Sequence, residues 1–151
     1  MSMMIRGVLI ALLAVSGGNV LAQQSVEIMA PWVRETVAAQ TATGGFMEIT
    51  SRRGGILIGA SSPVAGRVEV HQMKMEGNIM KMRAVDKLDL PAGKPVKLAP
   101  GGYHLMLLEL KKTLQAGTVV PLTLSIAGND GKRSSVEVKA EVRQLGGVHQ
   151  H

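Results

Sequence analysis

The sequence predicts an all-β fold, an antiparallel β-sandwich, on three observations. Apolar and polar residues alternate over short stretches, as in Arg67-Val68-Glu69-Val70 and Ser135-Val136-Glu137-Val138-Lys139-Ala140-Glu141-Val142. Few stretches hold a helical period. Glycine, proline and asparagine clusters punctuate the chain at short intervals. A length of 151 residues, 46% of them hydrophobic and 19% charged, fits one globular domain.

Residues 1–22 read as a secretory signal peptide. Residues 1–6 form a short positive start and residues 8–15 an unbroken apolar run. Ser16-Gly17-Gly18-Asn19 breaks that run, and Val20-Leu21-Ala22 supplies small residues for a cleavage site. The run is too short to span a bilayer, which takes about 20 residues. With no lipobox cysteine at the cut, a soluble product outside the inner membrane is expected, in a bacterial periplasm.

Residues 23–144 are read as the folded domain. Its strand candidates begin at Val26-Glu27-Ile28 and continue at 46–50, 56–60, 67–70, 79–85, 95–98, 103–110, 119–127 and 135–142. The turns expected between them include Gly44-Gly45, Arg53-Gly54-Gly55, Gly77-Asn78, Pro91-Ala92-Gly93, Pro100-Gly101-Gly102 and Gly128-Asn129-Asp130-Gly131. Pro121 inside a strand candidate points to an edge or a bulge. Residues 145–151 read as a flexible tail. Its His149 and His151 are candidates for capturing Cu(II) or Zn(II), or are incidental to a frayed end.

Formal net charge is +6, with the lysines and arginines scattered. On an exported chain this reads as a solvated surface with weak attraction to anionic membranes or acidic partners, not a nucleic-acid site. The chain has no cysteine. That excludes disulfides, thiolate metal sites, cysteine nucleophiles and the blue-copper centre of an electron-transfer cupredoxin.

Ten methionines against one each of Trp, Tyr and Phe is the odd feature. Met73, Met75, Met80 and Met82 gather around Glu76-Gly77-Asn78. Gly77-Asn78 is a good two-residue hairpin loop. That loop sets Glu76 opposite Ile79, Met75 opposite Met80 and Met73 opposite Met82. His71 then lies on the methionine face, diagonal to Met82. A three-residue loop would put His71 and Met82 on opposite faces. Methionine fills cores well, but here Val68 and Val70 on the other face are the better core residues. Thioethers beside an imidazole look more like a soft-metal site. Met73 and Met75 remain open to a cover or packing role.

Tyr103-His104-Leu105-Met106-Leu107 adds the same chemistry after a glycine turn. His104 and Met106 are two apart on a strand and share a face; Leu105 and Leu107 share the other. Trp32 reads as a core anchor or a cover over the site.

The spacing is His71, ten residues, Met82, 21 residues, His104, one residue, Met106. It resembles the signature of the periplasmic copper chaperones of the PCuAC family. Surrounding words are also similar: Pro31-Trp32-Val33-Arg34, Gly44-Gly45-Phe46-Met47, Val68-Glu69-Val70-His71 and Pro100-Gly101-Gly102-Tyr103-His104. Two stretches depart from the family pattern. Leu107-Leu108-Glu109 stands where a more apolar, glycine-containing stretch is typical, and Val37-Ala38-Ala39 replaces a more proline-rich turn.

The resemblance implies a cupredoxin-like/Ig-like sandwich with a metal site at one end. It implies one Cu(I) held by His71, Met82, His104 and Met106. It also implies the recipient: the copper centres of cytochrome c oxidase, such as subunit II, with a Sco-type assembly protein as a further partner. The chain is read as a monomer and as a chaperone, not an enzyme; the acids are dispersed and no serine motif stands out. The chemistry agrees, since thioethers favour Cu(I) and imidazole also tolerates Cu(II). Two alternatives stay open: a periplasmic copper store or resistance protein, and an Ig-like interaction module that binds no metal.

Overall fold

The structure is a computed structural model and describes residues 25–144. The signal-peptide expectation and the histidines of the tail lie outside those residues. Ten strands are formed: β1 (Val26–Arg34), β2 (Thr43–Ser51), β3 (Gly55–Ser61), β4 (Ala65–Glu76), β5 (Ile79–Ala84), β6 (Leu88–Leu90), β7 (Pro95–Leu98), β8 (Tyr103–Leu110), β9 (Val119–Ala127) and β10 (Arg133–Arg143). No helix occurs among the described residues.

The strands make one continuous sheet rather than two separate ones. Its order is β5-β4-β8-β2-β1-β10-β9-β3-β6, and a further pairing of β3 with β4 at Ala60 and Val68 closes it into a barrel-like ring. β7 attaches to β2. Closure removes most of the free edges that an open sheet would expose. One pair departs from the expected antiparallel pattern, as β1 runs parallel to β10 through Trp32–Glu141, Val33–Val142 and Arg34–Arg143. Such long-range pairing leaves no local signal in a sequence.

Alternation sets the inside of the barrel. Val120, Leu122, Leu124 and Ile126 of β9 are buried, as are Val136, Val138, Ala140 and Val142 of β10. On the site side, Val68 pairs with Leu107 and Val70 with Leu105, and all four are buried. Burying each such aliphatic side chain contributes about 1.5–3 kcal/mol. These pairs fix which face of β4 and β8 looks outward.

Three local details differ from expectation. Gly44-Gly45 is not a turn but lies inside β2. β6 is a three-residue strand with no sequence signal of its own. Pro121 sits in a strand flanked on both sides, yet the β3 ladder stops at Thr123. The Pro121 carbonyl on that side accepts from the Ser62 hydroxyl at 2.7 Å, so no ladder donor is missing there.

Candidate metal centre

The β4–β5 hairpin has the register expected from its Gly77-Asn78 loop. Glu76 faces Ile79, Met75 faces Met80, Met73 faces Met82 and His71 faces Ala84. Gly77 has φ +63°, which a glycine at the first loop position supplies without steric cost. His71 and Met82 therefore share a face, in successive pairs of that face.

β8 flanks β4 on its other side. There His71 stands directly opposite His104, and Glu69 opposite Met106. Met82, His71, His104 and Met106 thus occupy the same outer face of three adjacent strands. The two imidazole rings lie 5.8 Å apart by centroid. Met82, His104 and Met106 line one open cleft, to which Met73, Phe46 and Arg34 also contribute. The structure brings the four sequence candidates to one corner and adds Met73.

Each imidazole has one nitrogen already engaged. His71 Nε2 lies 2.8 Å from Glu69 Oε2. A carboxylate only accepts, so Nε2 carries the proton and Nδ1 is left with a lone pair. That Nδ1 is buried and has no hydrogen-bond partner. His104 Nδ1 lies 3.1 Å from the Gly102 carbonyl, another pure acceptor, so its free lone pair is on Nε2. Each ring is thus held by an acceptor on one side, with its other nitrogen turned away from that acceptor. An acceptor behind the ring is the usual way a protein orients a metal-binding imidazole.

Electrostatics favours the neutral form of His104. Burial pushes the His104 pKa below its ordinary value; the Gly102 carbonyl opposes this, and the charges of His71 and Arg34 add to it. The His71 hydrogen bond holds the Glu69 carboxyl below the usual carboxylate range, with Arg67 at 3.1 Å assisting.

His104 is buried because an aromatic group covers it from outside the barrel. The Phe46 ring lies 6.3 Å from the His104 ring, and Trp32 stacks on Phe46 at 4.5 Å. Gly44 makes room for this, since a Cβ there would meet the Phe46 ring at 2.8 Å. A register shift in β1 between Met29 and Trp32, with Ala30 at φ +47°, aims Trp32 at Phe46. Trp32 lies outside the buried core and packs on Phe46, and it is not among the residues that line the cleft.

Glu69, Phe46 and the Gly102 carbonyl were not singled out as functional in the sequence. The legible signal for Glu69 was its position two residues before His71 on the same strand face. Among the described residues, no group of three or more His, Asp or Glu gathers around a point. An ion at this corner would have to draw on thioether sulfur, which selects soft cations.

The closed all-β fold is that of solved PCuAC domains. It superposes on the apo PCuAC domain of PmoF1 with a TM-score of 0.63 at 20% identity, covering 80% of this chain and 95% of that one. It superposes on the Cu(I) form of DR1885 from Deinococcus radiodurans with a TM-score of 0.58 at 26% identity, covering 85% and 83%. By sequence, the LpqE-like family of putative lipoproteins matches residues 26–142, and the chain belongs to that family. A putative lipoprotein of Leifsonia xyli subsp. xyli is 32% identical over 127 residues, covering 83% of this chain and 74% of the relative.

Proposed function

We propose that this protein is a periplasmic copper chaperone that binds one Cu(I) through His71, Met82, His104 and Met106. The observation that carries the reading is the buried, unpartnered Nδ1 of His71 beside His104, each ring held from behind by an acceptor. An unpaired buried polar atom costs about 1–3 kcal/mol, and an ion would remove that cost. Two neutral imidazoles and two neutral thioethers leave the charge of Cu(I) uncompensated, which favours a soft monovalent ion over hard divalent ones. Structural neighbours described as copper-bound or Cu(I)-bound support copper as the cargo.

Transfer follows from the same geometry. Met82 is 47% exposed, so one ligand sits where an incoming protein's donor can replace it by ligand exchange. His104 stays behind in the buried aromatic corner. The recipient proposed is a cuproprotein under assembly, with the copper centres of cytochrome c oxidase subunit II first and a Sco-type protein as intermediary. Relatives described as putative lipoproteins support an exported, cell-envelope location. The role is binding and transfer rather than catalysis.

The test is a competitive Cu(I) titration of the protein beside Met82→Leu and His104→Ala, followed by transfer to a copper-depleted oxidase domain. Both variants are expected to bind more weakly. Unchanged affinity in both would overturn the site. Tight binding without transfer would favour the storage reading.

A further inference from the structure

The hairpin beyond the metal corner carries a feature that the four-residue site does not use. Met75 and Met80 are 57% and 47% exposed and stand directly opposite each other next to the tip. Met73 and Met82 form the next pair inward on the same face. The opposite face is charged: Glu76 makes ion pairs with Lys81 at 3.1 Å and with Arg83. Every residue of β5 is exposed, so none of its methionines serves the barrel core. Directly opposed residues bring their Cβ atoms about 4.5–5.5 Å apart, close enough for two flexible thioethers to meet on one ion. Successive pairs on a face are about 6.6 Å apart along the strands.

We propose that Met75 and Met80 form a second, weaker Cu(I) site at the hairpin tip. It receives the ion and passes it through Met73 and Met82 to the His71/His104 corner. Resting on the proposed Cu(I) function, it adds an entry route to the site. Each step is a ligand exchange on copper, thioether for thioether along the hairpin and imidazole for thioether at the corner. The metal stays Cu(I), and no proton or electron moves. Two thioethers without an imidazole bind less tightly than the mixed corner, so the gradient runs inward. A purely apolar role would be served equally by leucine; the thioether is what the second site needs.

The test follows the methionine methyl resonances of the full protein, carbon-labelled at those methyls, during anaerobic addition of Cu(I). The first equivalent is expected to shift Met82 and Met106, and the second to shift Met75 and Met80. In the Met75→Leu/Met80→Leu variant the second equivalent should be lost while the first is kept, and loading from a small-molecule Cu(I) donor should slow. Binding of a single equivalent by the unaltered protein, or a second equivalent that shifts methyls elsewhere, would overturn the proposal. A His104→Ala/Met106→Leu variant separates the two readings. If it abolishes the tight equivalent and leaves the tip shifts, both stand. If the tight equivalent survives, the corner assignment fails while the tip is judged on its own shifts.

Discussion

Removing the Glu69 carboxylate tests how the corner is organised. Glu69 touches no ion in the proposed site. It accepts the Nε2 proton of His71 at 2.8 Å and thereby leaves Nδ1 as the donor. Loss of such a supporting partner lowers metal affinity by about 10–100-fold. Glu69 is about one-third exposed and shared with Arg67, so the low end applies. Glu69→Ala should weaken Cu(I) binding about tenfold by that scale. Glu69→Gln keeps a carbonyl acceptor but loses the charge. A neutral hydrogen bond is about half as strong as a charge-assisted one, so the loss should be about threefold. The assay is competition with a chromophoric Cu(I) chelator at neutral pH, paired with imidazole nitrogen shifts of the apo protein. Those shifts should report the Nε2-protonated form of His71 in the wild type and in Glu69→Gln, and a tautomer mixture in Glu69→Ala. Wild-type affinity in Glu69→Ala, or a wild type protonated at Nδ1, would refute the reasoning.

Other consequences concern pH, backbone and core. The folded pKa of His104 is depressed by burial, so the unfolded chain takes up the proton first as pH falls. Stability contributed at this position is intact above the unfolded value, near 6.5, and is lost as pH falls through the folded value. Denaturant titrations across that range should show this slope in the wild type and a smaller one in His104→Gln. Copper competes with the proton at His104, so affinity should fall once pH drops through the lowered His104 value, and an affinity indifferent to His104 protonation would contradict its role as a ligand. Glu109 is held at φ +54°, a left-handed conformation that costs a side-chain residue about 1–2 kcal/mol. Glu109→Gly should therefore raise stability by about 1 kcal/mol; a decrease in the denaturation midpoint would show that the strain is compensated. Leu105, fully buried between the two metal-face neighbours, should cost about 2–5 kcal/mol when replaced by alanine. That loss should be seen in the unfolding free energy with no ion present.

The two departures from the family pattern gain a physical meaning in the structure. Glu109 and Ala39 fall in the two atypical stretches, and both have positive φ. Glycine at the first would relieve that strain. Other parts of the site were readable because they depend on neighbours in the chain. The hairpin register follows from a two-residue loop, and the shared face of His104 and Met106 follows from strand pleating. Placement of Val68 and Val70 inward follows from alternation.

The rest depended on pairings between distant segments. Local pattern predicted strands, one methionine-rich hairpin and the identity of the soft donors. It could not say that β4 and β8 pair in the register that sets His71 against His104, because no turn joins them. Nor could it say that β1 would run parallel to β10, or that β3 would close the ring onto β4. The cover of Trp32 over Phe46 needs a bulge in β1 and a bare Gly44 in β2, features meaningful only once those strands are neighbours. Donor chemistry and strand period are properties of side chains and the local backbone, so the one-dimensional chain carries them. Which imidazole nitrogen is free, and which ring is shielded, are set by contacts between segments far apart in sequence, and only the closed sheet decides them.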